Sequence, residues 1–286
     1  MLTTEQAPVP PAAGEAATPV PFLSLVIPAY NEERRLGPTL NAILAYLANR
    51  PYTSEVIVVS DGSTDGTERV ARLAFAAAPA GQVIGCRFIG YMPNAGKGRA
   101  VRTGVAATLG RYVAFADADL STPIDEIDRA LGYLASATDG GARYRLVIGS
   151  RAVAGARVER RQPLYRRLSA RLFNVLRDGL VGIRGLQDTQ CGLKVFEGDL
   201  ARAIFARQRI DGFMFDPETI YIAQRLGLPI LEMGVRWADS PETKVRISSA
   251  LRLIPDLLRI RLLHGQLTPA DLPAVLAAAG RSVGSA

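Results

Sequence analysis

With 286 residues, 48% of them hydrophobic and 21% charged, the chain suffices for one large α/β domain or two small ones with a substantial core. A single histidine, His264, excludes a His-based zinc centre and a Ser-His-Asp triad, so proton transfer or metal binding falls to Asp and Glu. The net charge of +7 calls for an anionic partner, whether nucleic acid, phospholipid headgroups or a phosphorylated substrate.

Residues 1–21 are rich in Ala, Pro and Thr and carry no Lys or Arg, which predicts a disordered tail rather than a signal peptide. No apolar run approaches the roughly 20 residues that span a bilayer, so the expectation is a cytoplasmic chain without a transmembrane helix. Cys86 and Cys191 read as two free thiols. Residues 23–27 form a short apolar strand ending at Pro28, and residues 36–47 have helical spacing. A second strand, 56–59, stops at the turn cluster 60–66. Asp65 with Glu68 then caps a helix to about residue 78. A third strand, 83–89, leads through the glycine-rich loop 94–98 into a helix to about 109. A fourth, 112–116, ends in acidic residues. A helix over 124–135 and a strand at 146–148 follow.

This alternation predicts a mostly parallel sheet covered by helices, with functional loops at the carboxyl ends of the strands. Beyond Arg151 the rhythm changes. An Arg-rich amphipathic helix is expected at 164–180, a strand at 193–196, a helix around 217–226, a strand at 230–235 and a basic amphipathic helix at 248–263. Residues 264–286, Ala-rich towards the end, are expected to be poorly ordered, leaving one domain over 22–263. The bases are 31 Arg and three Lys, with Arg clustered at 157–177 and again at 246–261. Helices near 160–181 and 246–263, with leucines along one side and Arg on others, can lie on an anionic membrane or simply pack on the core. No basic-aromatic pattern supports nucleic acid.

Asp117-Ala118-Asp119 ends the fourth strand. Residues two apart in an extended segment point the same way, so both carboxylates can face one site. Hard oxygen ligands of this kind suit Mg²⁺ or Mn²⁺ held against a diphosphate. Asp119 or Ser121 can instead cap the next helix. Asp61, ending the second strand, can accept a hydrogen bond from a base or ribose, whereas Asp65 fits a helix cap. The loop Asn94-Ala95-Gly96-Lys97-Gly98 fails as a phosphate-binding P-loop because Gly98 replaces the magnesium-binding Ser/Thr. It reads either as a loop presenting Lys97 to phosphate or sugar, or as a bare strand-to-helix turn.

Together these segments, from Val26-Ile27-Pro28-Ala29-Tyr30-Asn31-Glu32 to Asp117-Ala118-Asp119-Leu120, resemble family 2 glycosyltransferases in order and spacing over about residues 22–262. Within that family, Asp117–Pro123, Gly149-Ser150-Arg151, Asp188–Phe196 and Phe215–Glu218 are most similar to the dolichyl-phosphate (polyprenyl-phosphate) β-glucosyltransferases. The resemblance implies a GT-A fold and nucleotide contacts from Pro28, Tyr30, Glu32 and Asp61, with Asp117 on the nucleotide or sugar side; Lys97 and Ala118 are counted with them as expected donor contacts. It implies metal binding through Asp119, with Ser121 beside it where mannose-transferring relatives often carry Gln. A diphosphate contact falls to Lys244, and Arg236 and Arg246 compete for the Arg that accompanies it. Asp188, with Arg184 near in sequence, is a catalytic or acceptor-orienting carboxylate. Arg151 and Arg161 are candidates for the acceptor phosphate, since guanidinium forks match that geometry.

The reading is an inverting, Mg²⁺- or Mn²⁺-assisted transfer of glucose from UDP-glucose to a polyprenyl phosphate, by a peripheral protein on the cytoplasmic face of a membrane. Transfer of mannose from GDP-mannose, or transfer to a sugar hydroxyl, is the alternative. A sugar-1-phosphate nucleotidyltransferase would carry a glycine-rich basic loop where Pro28–Glu32 stands. A membrane adaptor would leave the acidic strand ends unexplained.

Overall fold

The computed structural model describes residues 19–136, 143–159, 164–238 and 253–283. Alternation of strand and helix runs through the first half: β1 (Leu23–Ala29), α1 (Leu36–Ala48), β2 (Ser54–Asp61), α2 (Thr67–Ala76), β3 (Val83–Tyr91), α3 (Lys97–Ala106), β4 (Tyr112–Phe115), α4 (Glu126–Ala135) and β5 (Leu146–Ser150). The second half holds β6 (Arg157–Val158), α5 (Leu164–Leu180), β7 (Lys194–Glu197), α6 (Gly198–Arg207), α7 (Phe215–Arg225), β8 (Ile230–Gly234), β9 (Arg236–Trp237), α8 (Leu253–His264) and α9 (Leu272–Val283).

Among the described residues, seven strands form one sheet in the order β3-β2-β1-β4-β7-β5-β8, and β6 pairs with β9 apart from it. All pairs in the large sheet are parallel except those of β7, which runs against both β4 and β5. Period-two alternation splits the core. Leu23, Leu25 and Ile27 face α1, α2 and α4 on one side, while Val26, Val113 and Phe115 face α3, α6 and α7 on the other. Along α1, Leu36, Leu40, Ile43, Leu44 and Leu47 follow the helical repeat and are all buried.

The strand order reverses between β1 and β4, which opens a crevice at their carboxyl ends. Because β7 is antiparallel, its first residue, Lys194, lies at that same edge, opposite Phe115. The expected elements are present with small shifts of their ends, and the sheet is mixed rather than wholly parallel. Helix α6 was not foreseen.

Residues 264–286, expected to be poorly ordered, are instead folded as far as Val283. A 3₁₀ turn (Pro269–Asp271) leads into α9, whose Val275 and Ala279 are buried in the core, with α9 packed on α6. Of the predicted N-terminal tail, residues 1–18 lie outside the described residues, and Pro21 already accepts a bond from the Arg111 amide. Cys86 and Cys191 are free thiols. Among the described residues no helix is long and apolar enough to cross a membrane.

Candidate active site

The carboxyl ends of β1, β2 and β4 meet the loop before β7 and the starts of α3 and α7. At the end of β1, Pro28 is buried in register with Val59, and Tyr30 is exposed. Glu32 is buried and held by Arg35, whose Nε and Nη2 each lie 2.7 Å from a carboxylate oxygen. The same guanidinium stands 3.9 Å from Asp119 Oδ2. Asn31 ties β1 to the turn after β2, its amide donating to Ser63 Oγ at 3.0 Å and its Oδ1 accepting from the Thr64 amide at 2.8 Å. Asp65 holds the start of α2, accepting from the Thr67 amide at 3.0 Å.

Asp61 shapes the neighbouring loop. Its Oδ1 accepts from the Ala95 amide at 2.7 Å, and its Oδ2 from Asn94 Nδ2 and the Gly96 amide at 2.8 Å each. Three of about four acceptor positions are thus taken within the protein, so its first task is to hold Asn94–Gly96. Gly96, at φ +113°, supplies the backbone turn that opens α3 with Lys97.

Asp117 and Asp119 have different nearest partners, although both act on the Lys97 ammonium. Strand β4 stops at Phe115, and the Leu120 amide bonds back to the Asp117 carbonyl at 3.2 Å in a turn with Leu120 at φ +48°. That conformation is costly for a side chain of this size and is characteristic of functional loops. Asp117 Oδ1 pairs with Lys97 Nζ at 2.6 Å. Burial opposes both charges, but neighbouring opposite charges outweigh it, Lys97 foremost with Lys194 and Arg151 for the carboxyl, and Asp117 foremost with Asp216 and Asp119 for the ammonium. The carboxyl is held below its usual range and the ammonium above its own. Asp119 accepts from the Ser121 amide at 3.0 Å through Oδ1 and turns Oδ2 towards Arg35. The Ala118 carbonyl accepts from Thr39 Oγ1 at 2.8 Å, and the Ser121 carbonyl from the Ala238 amide at 2.8 Å.

Among the described residues there is no group of three or more His, Cys, Asp or Glu able to hold a metal. Asp119 nevertheless fits a hard divalent cation of the Mg²⁺ type, which takes one or two carboxylates and completes its shell with substrate phosphates and water.

Asp188 is 8% exposed and accepts four hydrogen bonds. Three come from Arg151, by its amide (3.0 Å), Nε (2.7 Å) and Nη2 (2.9 Å), and one from the Gln190 amide (3.1 Å). Its partner is therefore Arg151 rather than the sequence neighbour Arg184. Burial pushes the carboxyl up, but the guanidinium more than offsets this and holds it below the ordinary range. Arg151 lies over the Trp237 ring, 5.3 Å from its centroid. Behind them Glu232 accepts the Gln187 and Asp188 amides at 2.8 and 2.7 Å. Arg177, one of the clustered arginines, is fully buried and fixes the same loop through the Leu186 carbonyl at 2.7 Å. Gly192 leaves room for the Asp117 carboxylate, since a Cβ there would stand 2.1 Å from Asp117 Oδ2 and displace it.

Arg236, one of the two arginines expected to compete for the diphosphate role, is paired with Asp125 and with Glu126 Oε1 at 2.7 Å, at the start of α4. Arg161, Lys244 and Arg246 lie outside the described residues. Sequence reasoning passed over Arg35 and Thr39, and gave Lys194 and Asp216 no role although both lie in the segments that carry the resemblance. A lysine within the apolar run Leu193–Phe196 was the available signal for Lys194.

A mixed sheet with a crevice at its switch point, and an acidic turn flanked by Lys and Arg there, is the arrangement expected of a GT-A type sugar-nucleotide transferase. The chain belongs to glycosyl transferase family 2, whose model matches residues 24–187. It is similar to a dolichyl-phosphate beta-glucosyltransferase of Trichomonas vaginalis, 35% identical over 251 residues covering 85% of this chain and 74% of the relative. The enzymes of the same name from Drosophila melanogaster (37%, covering 78% and 69%) and Homo sapiens (34%, covering 86% and 76%) are also similar. Among solved structures, glucosyl-3-phosphoglycerate synthase of Mycobacterium tuberculosis shares the fold, with a TM-score of 0.60 at 21% identity over 86% of this chain and 80% of that one. Structures of that synthase hold Mn²⁺ with UDP-glucose, and Mg²⁺ with UDP.

Proposed function

We propose that the protein transfers glucose from UDP-glucose to a polyprenyl (dolichyl-type) phosphate with inversion, giving a β-glucosyl lipid phosphate and UDP. The observation that carries this reading is the pairing of Asp188 with Arg151 beside the Asp117–Asp119 turn. It presents a rigid guanidinium next to the acidic, donor-facing turn. Relatives named for dolichyl-phosphate glucosylation, over about 85% of the chain, support glucose as the sugar and a dolichyl-type phosphate as the acceptor.

In this reading the acceptor phosphate oxygen attacks glucose C1, the C1–O bond to the diphosphate breaks, and UDP leaves with the electron pair. Asp119 would hold the Mg²⁺ or Mn²⁺, with Ser121 beside it, and the cation would neutralise charge on the leaving diphosphate. Lys97 and Asp117 bind the donor, with Tyr30, Glu32, Asp61 and the Ala118 backbone shaping its seat. A phosphate monoester is already anionic at neutral pH, so a strong base is unnecessary. Asp188, with four donors and a lowered pKa, orients Arg151 rather than removing a proton. Arg161, Lys244 and Arg246 remain proposed acceptor and diphosphate contacts.

The membrane surface is the proposed location, on its cytoplasmic face. Helix α5 leaves Leu172 and Val175 61% and 68% exposed, and α8, packed beside it, exposes Ile254, Leu258 and Leu262. Such a face suits the interface where a lipid acceptor resides.

UDP release from UDP-glucose, measured with and without Mn²⁺ and a short polyprenyl phosphate, tests the reading. Release that needs both, and is abolished by Asp119→Ala, is expected. Turnover with GDP-mannose instead would overturn the donor, and release without lipid phosphate would overturn the acceptor.

A further inference from the structure

Beneath the acidic turn lies a second Lys–Asp pair that takes no part in the chemistry above. Lys194, fully buried at the start of β7, places Nζ 2.5 Å from Asp216 Oδ1 and 2.9 Å from the Cys191 carbonyl. Asp216 is 4% exposed in the first turn of α7. Removing two such charges from water costs more hydration than their attraction reliably returns, so stability alone does not account for the pair. The Lys194 ammonium also lies 5.3 Å from the centroid of the Phe115 ring, in surroundings that would accept an apolar side chain.

The pair adjoins Lys97. Helices α3 and α7 touch where they begin, since a Cβ on Gly98 would stand 2.6 Å from Phe215 Cβ. The Lys97 ammonium sits 5.8 Å from the Phe215 ring centroid, one residue before Asp216, and interacts electrostatically with Asp216 as well as with Asp117. Charges therefore alternate inward from the crevice as Asp117, Lys97, Asp216 and Lys194.

We infer that Asp216, anchored by Lys194, is a positioning residue that keeps the Lys97 ammonium in place when Asp117 turns to the donor. This rests on the donor reading above. Asp117 has a partner to exchange, because its side chain is about a third exposed at the crevice. Asp216 has none, being closed off behind it. With Asp216 neutral, Lys97, itself partly exposed, would follow Asp117 or swing outward, and the diphosphate seat would lose its fixed cation.

The test is calorimetric titration of UDP with Mn²⁺ present, for wild type, Lys97→Met, the paired variant Lys194→Met with Asp216→Leu, and the triple variant. The paired change leaves no unbalanced buried charge. If it does not fold, as judged by its melting curve, Lys194→Gln with Asp216→Asn is read the same way. The expected result is UDP affinity about tenfold weaker in Lys97→Met, similarly weaker in the paired variant, and no more than about twofold weaker again in the triple variant, the non-additivity of residues acting through one another. A paired variant that binds UDP like wild type, or a triple variant weakened by the product of the two effects, overturns the inference and leaves the donor reading standing. Wild type that binds no UDP overturns the donor reading and the inference with it.

Discussion

Replacing Asp188 by Asn keeps the shape of the side chain but removes the charge and turns one acceptor into a donor. Of the two bonds to the Arg151 side chain, at 2.7 and 2.9 Å, the amide can satisfy one and opposes the other. A hydrogen bond to a charged group contributes about 1.5–3 kcal/mol, and side-chain exposures of 9% and 29% keep solvent screening modest. Acting through Arg151, the change should therefore lower kcat/KM about 10- to 150-fold. A lost general base would lower it by about 10²–10⁴, an overlapping range, so the background decides. In Arg151→Met, Asp188→Asn should cost less than about threefold, because the group it orients is gone. The assay is lipid-phosphate-dependent UDP release for the four members of the cycle. Full loss from Asp188→Asn in the Arg151→Met background would refute the orienting role and restore a base.

Three further outcomes follow. Because Lys97 and Arg151 hold Asp117 and Asp188 below the ordinary carboxyl range, both contribute stability above the unfolded value of about 3.9, lost as pH falls through the folded values. The melting-temperature gap between wild type and Asp188→Asn should accordingly be constant from pH 5 to 7 and close below about pH 4. Gly192→Ala forces a Cβ against Asp117 and should reduce UDP release at least about tenfold, with far-ultraviolet circular dichroism unchanged, a misplacement effect of the kind known to be costly near reacting groups. Val175→Glu with Leu262→Glu should weaken sedimentation with anionic phospholipid vesicles at least about tenfold, while UDP release with a short, soluble polyprenyl phosphate stays within about twofold.

The central strands were readable because each is a short buried apolar run closed by a turn, as at Leu23–Ala29 and Ser54–Asp61. The acidic turn and Lys97 were readable as residue types at strand ends. What escaped was set by long-range pairing. Arg151 and Asp188 are 37 residues apart, and only the return of β7 against β4 and β5 brings their loops together. The turn that carries Asp117 and Asp119 closes through a left-handed backbone at Leu120, which no residue preference announces. Helix α6 follows β7 without an intervening loop, so no turn residues marked it. Helix α9 was read as a poorly ordered Ala-rich stretch because its alanines obscured the apolar face, Leu272, Val275, Leu276 and Ala279, that packs on the core. Asp61 drew attention as a ligand, yet its bonds to Asn94, Ala95 and Gly96 make it a support for the Lys97 loop.

The most direct measurement is the identity of the product formed from radiolabelled UDP-glucose, Mn²⁺ and a polyprenyl phosphate. The account predicts label transferred to a lipid that yields glucose on mild acid treatment, with the β configuration at C1 by proton coupling. An α-linked lipid, label on a sugar hydroxyl, or label that remains in UDP-glucose while a GDP-mannose control is consumed would contradict it.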